Sequence, residues 1–228
     1  MQTSDSIVII PTYNEKENIE NIIRAVFGLE KTFHILVIED NSPDGTADIV
    51  RRLQNEFPER LFMIERKGKL GLGTAYITGF KWSIEKGYDY IFEMDADFSH
   101  NPNDLPRLYK ACHEEGADVS IGSRYVSGVN VVNWPMGRVL MSYFASKYVR
   151  FITGLPIHDT TAGFVCYRRK VLETIHLDHI RFKGYAFQIE MKFTAFKCGF
   201  HITEVPVIFI NRELGTSKMN SSIFGEAV

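Results

Sequence analysis

Through its first half the chain alternates short apolar runs with amphipathic stretches, at a spacing of one strand plus one helix. Ile7 to Ile10, Ile35 to Ile38, Leu61 to Ile64, Tyr90 to Met94 and Val119 to Ile121 are nearly unbroken apolar runs. A strand covered on one face alternates apolar with polar; a continuous run marks a strand covered on both, as in a parallel sheet between helices. Asn14 and Glu17 have capping-box spacing, and Ile19, Ile22, Ile23, Val26 and Phe27 then share a helical face that Gly28 ends. Further helices are expected after Asp44-Gly45-Thr46 and across Leu105, Leu108, Tyr109 and Cys112, the latter stopping at Gly116. The pattern predicts an α/β fold with a mostly parallel central sheet flanked by helices.

After Arg124 the pattern changes. Gly128, Asn130, Asn133 and Pro135 mark a loop, and Trp134 to Pro156 reads as an interrupted apolar helix carrying Arg138, Lys147 and Arg150. Such a helix either packs on the sheet or lies at a membrane surface, apolar face down with its cations at the headgroups.

Composition narrows the classes. The chain has 228 residues, enough for one sizeable core, so one domain over 1–228 is expected. The change of pattern after Arg124 divides it into halves of about 1–125 and about 126–228. With 26 basic against 28 acidic residues, nucleic acid is not an expected partner, and any polyanion must be met locally. Cys112, Cys166 and Cys198 are odd in number and far apart, which fits reduced thiols in the cytoplasm rather than a zinc site. Met1 to Ser6 is polar, unlike a secretory signal, and no stretch reaches the roughly 18 to 20 apolar residues of a membrane span. Ser221 to Val228 reads as the first turns of a helix without a C-cap, which leaves both a native and a truncated C-terminus open.

The chemistry concentrates at strand ends. Asp95-Ala96-Asp97 leaves the carboxyl end of a buried strand, where open α/β sheets hold their ligands. Residues i and i+2 of an extended chain share a side, so both carboxylates can approach one hard cation, Mg2+ or Mn2+. Pro11-Thr12-Tyr13-Asn14-Glu15 closes the first strand and Glu39-Asp40-Asn41-Ser42-Pro43-Asp44-Gly45 the second. Tyr13 offers a stacking face for a base or ribose, and Glu39 or Asp40 an acceptor for its donors; ordinary turn chemistry accounts for the same residues. Arg66, Lys67 and Lys69 face either phosphates or solvent, and His100 either the site or a turn. Gly71-Leu72-Gly73 lacks a third glycine, with Tyr76 in its place, and is not read as a dinucleotide fingerprint. His176-Leu177-Asp178-His179 lacks a third metal ligand.

Six segments in order carry a resemblance: Pro11 to Glu15, Asp40 to Thr46, Leu70 to Tyr76, Asp95 to His100, Gly122-Ser123-Arg124-Tyr125, and Arg212 to Lys218. They resemble the family 2 glycosyltransferases of the Rossmann-like GT-A fold, and the chain is similar over nearly its full length to the catalytic domain of the dolichol-phosphate mannose synthases. The resemblance implies inverting transfer of a hexose, usually mannose from GDP-mannose, onto a polyprenyl phosphate at the cytoplasmic face of a membrane. Attachment would use the chain's own helix, a further C-terminal segment or an anchoring subunit. Position by position it places the donor on Pro11, Tyr13, Glu15, Ile38, Asp40, Asp95, Ala96 and Asp97, with Arg212 and Lys218. Asp95 and Asp97 would hold the metal, and Asp97, Arg124 and Arg212 would carry the chemistry. Glu39 stands where many relatives have Asp, and Ser99 where some have a metal-binding Gln.

An acceptor phosphate is already ionised and needs no general base, only charge neutralisation and aim, which Arg124, Arg138 and Lys218 can supply. A glycan or lipid hydroxyl would need a base, for which Asp159 is the candidate. A non-catalytic nucleotide-binding subunit is the remaining alternative.

Overall fold

Each of the five apolar runs forms a strand. The computed structural model describes residues 4–184 and 186–211. In chain order come β1 (Ser6–Thr12), α1 (Ile19–Phe27), β2 (His34–Glu39), α2 (Thr46–Glu56), β3 (Leu61–Glu65), α3 (Leu72–Glu85), β4 (Tyr90–Glu93), α4 (Leu105–His113) and β5 (Val119–Ser123). They are followed by β6 (Val131–Val132), α5 (Met136–Thr153), β7 (Val165–Arg168), α6 (Arg169–Thr174), α7 (Ala186–Lys197), β8 (Ile202–Pro206) and β9 (Phe209–Ile210).

The main sheet has the order β3-β2-β1-β4-β7-β5-β8, and β6 pairs with β9 in a separate ribbon. β7 runs antiparallel to both its neighbours, and every other pairing in the main sheet is parallel. Successive side chains of a strand point to opposite faces. Accordingly Ile7 and Ile9 pack with Tyr76 and Phe80 of α3 and Phe187 and Met191 of α7. Val8 and Ile10 pack with Ile19, Ile22 and Ile23 of α1 and Leu105 and Leu108 of α4 on the other side. Both faces are covered, which is why the strands read as continuous apolar runs. Gly79 lets α3 sit directly on β1, since a Cβ there would come within 2.7 Å of Ile9 Cγ2.

From β1 the chain moves outward through β2 to β3, then returns to place β4 on the other side of β1. The connections therefore diverge above the carboxyl ends of β1 and β4, and the crevice they leave is where such sheets bind ligands.

Two expectations change. The capping box does not form: α1 begins at Ile19, and Asn14 takes a left-handed φ of 54° in the loop before it. Glu15 caps the entry instead, its backbone carbonyl accepting from the amides of Asn18 and Ile19. The Trp134 to Pro156 helix is packed only in part: Ser146 of α5 is buried and Val149 packs against the core, while Met136 is 70% and Phe151 86% exposed. Among the described residues no helix is long and apolar enough to cross a membrane.

Candidate functional site

Two loops at the carboxyl ends of β1 and β2 lock together through side chains of the second. The amides of Asn14, Glu15 and Lys16 donate to Ser42 Oγ (3.0 Å), Thr46 Oγ1 (3.1 Å) and Asp44 Oδ2 (3.1 Å). Burial opposes ionisation of Asp44, but hydrogen bonds from the Thr46 hydroxyl and from the Thr46 and Lys16 amides outweigh it and hold the carboxyl below its usual range. The Asp40 to Thr46 segment is thus built to shape the loop that carries Tyr13 and Glu15. Pro11 and Ile38 face each other in the β1–β2 register, with Ile38 fully buried. Glu39 is spent on its own turn, accepting from the amides of Asn41 and Ser42 at 2.8 Å each.

Asp40 is held by Arg66. Nε reaches Oδ1 at 2.6 Å and Nη2 reaches Oδ2 at 2.7 Å, with the two side chains 8% and 9% exposed. Arg66 Nη1 also donates to Thr74 Oγ1 at 2.8 Å. The solvated reading of Arg66 is therefore corrected: it is a bidentate clamp that aims a donor-loop carboxylate. Lys69 fits neither reading alone, since its Nζ lies 5.4 Å from the Tyr13 ring centre, beside the proposed stacking face. The Gly71-Leu72-Gly73 segment has a packing role. Gly73 donates its amide to Lys183 O at 2.8 Å, and a Cβ there would come within 2.7 Å of Phe187.

At the end of β4, Ala96 is buried between Asp95 and Asp97. Asp97 Oδ1 accepts the Ser99 amide at 3.0 Å, closing a turn in which Phe98 has φ 59°. That conformation is costly for a bulky residue and is tolerated where the surroundings over-determine it. His100 accepts the Asp95 amide on Nδ1 at 3.1 Å and stacks on Phe164 with ring centres 4.9 Å apart. Burial pushes its imidazole down to about 4, so it braces Asp95 as a neutral ring. Asp95 and Asp97 offer hard oxygen donors, and the Ser99 hydroxyl beside them is buried with no hydrogen-bond partner among the described residues. No cluster of three or more His, Cys, Asp or Glu side chains is placed to hold a metal among the described residues. Two carboxylates suit Mg2+ or Mn2+, which take much of their shell from waters and phosphate oxygens.

Arg124 leaves the end of β5 and is gripped by Asp159. Its amide and Nε donate to Oδ2 at 3.0 and 2.6 Å, Nη2 donates to Oδ1 at 2.6 Å, and Nη2 also reaches Thr161 Oγ1 at 2.8 Å. Glu204 of β8 fixes the loop behind, accepting the His158 and Asp159 amides at 2.8 and 2.9 Å. Burial acts against Asp159 ionisation, yet the Arg124 charge and N–H donors prevail and hold the carboxyl below its ordinary range. A fully buried carboxylate spent on a guanidinium has the geometry of an anchor, not of a base waiting for a hydroxyl proton. Arg124 also sits 5.2 to 5.6 Å from the ring centres of Tyr125, Trp134 and Phe209. Arg138 lies 4.0 Å from the Trp134 centre and donates to Asn211 Oδ1 at 3.2 Å. Trp134 thus brings the two predicted acceptor-side arginines onto one aromatic plate. Arg212 and Lys218 lie outside the described residues.

Sequence reasoning passed over Trp134 as a site residue, and also Glu93, Gln188 and Lys192, which form a buried polar group beneath the crevice. A charge inside the apolar run of β4 and a lysine within a largely apolar helix were the available signals.

The family model for glycosyl transferase family 2 matches residues 7–176. The chain is 48% identical over 226 residues to a polyprenol monophosphomannose synthase of Mycolicibacterium smegmatis, spanning 99% of this chain and 85% of that protein. It is 46% identical over 222 residues to an undecaprenyl-phosphate mannosyltransferase of Micrococcus luteus, spanning 97% and 90%. Two solved structures share the fold at 18% identity. A mannosyltransferase from Pyrobaculum calidifontis, in complex with GDP-Man and Mn2+, has a TM-score of 0.61 over 91% of this chain, which spans 56% of that one. Glucosyl-3-phosphoglycerate synthase from Mycobacterium tuberculosis, with Mn2+ and UDP-glucose, has a TM-score of 0.68 over 97% of this chain and 74% of that one.

Proposed function

The chain belongs to glycosyl transferase family 2, and from that premise we propose that it transfers mannose from GDP-mannose to a polyprenyl or dolichyl phosphate with inversion at the anomeric carbon. The observation that carries this reading is the division of charge in the site. Asp95 and Asp97 supply anionic oxygens at the end of β4, while Arg124 is fixed by Asp159 and flanked by Trp134 and Arg138. The two relatives of high identity are both named for mannose and a polyprenyl acceptor, which supports the same assignment.

In this reading Pro11, Tyr13, Glu15, Ile38 and Asp40 line the nucleoside pocket, with Tyr13 stacking on base or ribose and Asp40, aimed by Arg66, accepting from its N–H or O–H groups. Asp95 and Asp97 would hold a magnesium or manganese ion, whose chemistry when bound is to offset negative charge on the departing nucleoside diphosphate. Arg124 and Arg138 receive the acceptor phosphate and orient one of its oxygens, Arg212 and Lys218 adding charge from the segment that follows β9. The phosphate attacks already ionised, so no side chain removes a proton. A hydroxyl acceptor would require a base, and the candidate, Asp159, has its carboxylate on Arg124.

The enzyme would work at the cytoplasmic face of a membrane, held peripherally through α5, where Leu140, Met141, Phe144, Tyr148, Phe151 and Ile152 are exposed beside Lys147 and Arg150. The test is a panel of GDP- and UDP-sugars offered with a short polyprenyl phosphate and manganese or magnesium. GDP-mannose with metal should give polyprenyl phosphomannose, and Asp97→Ala should abolish it. Full activity in EDTA, or transfer to glycan hydroxyls alone, would overturn the proposal.

A further inference from the structure

The two ends of the site stand on different elements, and a buried chain of hydrogen bonds from α7 joins them. Lys192 is fully buried, and its Nζ donates to Ala162 O (2.6 Å), Gln188 O (3.0 Å) and Gln188 Oε1 (3.1 Å). Three acceptors match the three N–H donors of an ammonium. Gln188 sits one turn earlier on the same face of α7, and its Nε2 donates to Glu93 Oε2 at 2.6 Å. Ala162 follows Thr161, which holds Arg124 Nη2 at 2.8 Å, and Glu93 ends β4 two residues before Asp95. The path runs from Arg124 through Thr161, Ala162, Lys192, Gln188 and Glu93 to the strand end that carries Asp95.

Such a path is an expensive way to fill a core. Glu93 and Lys192 are both completely buried, where a polar or charged group gives up its hydration for a few fixed hydrogen bonds. Apolar side chains of similar volume would pack the same space at equal or lower free energy. What apolar packing does not supply is direction, because dispersion contacts tolerate sliding and hydrogen bonds do not.

We infer that Gln188 and Lys192 are positioning residues, a strut from α7 that sets the loop gripping Arg124 at a fixed distance from the end of β4. This rests on the transfer reading above. The strut acts on the encounter between acceptor phosphate and donor sugar, which spans both ends, and not on nucleotide binding, which uses one.

The test compares transfer to polyprenyl phosphate with hydrolysis of the sugar nucleotide by water, in the wild type and in Gln188→Met and Lys192→Met. Transfer kcat should fall roughly tenfold to a hundredfold, since misplacing reacting groups by about 1 Å costs that much. Donor KM, metal-dependent GDP binding and hydrolysis should stay within about twofold, the signature of an interaction lost only when both substrates meet. Transfer and hydrolysis falling in parallel would overturn the inference. So would a lowered melting temperature with transfer per folded molecule unchanged, which keeps the test decisive if Lys192→Met folds poorly. A wild type that binds GDP and metal yet transfers nothing to the lipid phosphate would remove the functional reading together with the strut.

Discussion

Asp159 is completely buried and gives both carboxylate oxygens to Arg124, Oδ2 meeting Nε and Oδ1 meeting Nη2 at 2.6 Å each. Removing one member of such a pair leaves the other charged and dry. Asp159→Ala should therefore lower stability by about 3–5 kcal/mol in urea titrations. Asp159→Asn keeps one acceptor for Arg124 and should retain measurable transfer to a lipid phosphate. If Asp159 were a base, Asp159→Asn would instead cost roughly 10²–10⁴ in kcat with the unfolding midpoint unchanged.

Arg66 acts on the donor end. Its two parallel N–H bonds to Asp40 need the flat guanidinium fork, which lysine lacks. Arg66→Lys should raise donor KM about tenfold or more, a loss set by one charge-assisted hydrogen bond of roughly 1.5–3 kcal/mol. The acceptor KM should stay near wild type. Equal rises in both, measured by steady-state kinetics, would show a general distortion instead.

The lowered titration of His100 sets a pH dependence of stability. Its folded value of about 4 lies below the ordinary 6.5, so between those values the unfolded chain binds more protons than the folded one. Stability from this group is complete above pH 6.5 and lost as pH falls toward 4, up to about 3 kcal/mol. Unfolding of the metal-free protein followed from pH 7.5 to 4 should show that slope, and His100→Gln should flatten it. An identical slope in the variant would assign the loss to other groups.

The strands were legible because burial on both faces writes itself as an apolar run, as in Ile35 to Ile38. The capping box misled because tertiary contact outbid local chemistry: the Asn14 amide goes to Ser42, across from the neighbouring strand end. Order within the second half was not legible. β7 inserts antiparallel between β4 and β5, a pairing set by packing of distant segments that no local period encodes. The strand-end position of Asp95 and Asp97 could be read directly. The reason Arg124 points where it does could not, since Asp159, Thr161 and Glu204 lie 35 to 80 positions downstream. Gln188 and Lys192 were hidden for a further reason. The sequence of α7 lacks a sharp two-sided period, so a buried polar pair one turn apart reads as its solvent face.

Phe151 tests how the enzyme meets its lipid substrate. It is 86% exposed on α5 between Arg150 and Ile152, where a monomer in water gains nothing from it. A helix that docks on a bilayer gains the burial of that ring, about 1.5–3 kcal/mol. Phe151→Glu should thus weaken flotation with anionic vesicles by roughly tenfold to a hundredfold, on the conversion of 1.4 kcal/mol per decade. Its unfolding midpoint should move by no more than about 0.5 kcal/mol, as for other exposed positions. Raising ionic strength should weaken wild-type binding through Lys147 and Arg150 but leave the Phe151 increment, because salt screens charges and not apolar contact. A variant that floats like the wild type would show that α5 faces something other than lipid. A variant that loses several kcal/mol of stability would show that Phe151 belongs to the fold.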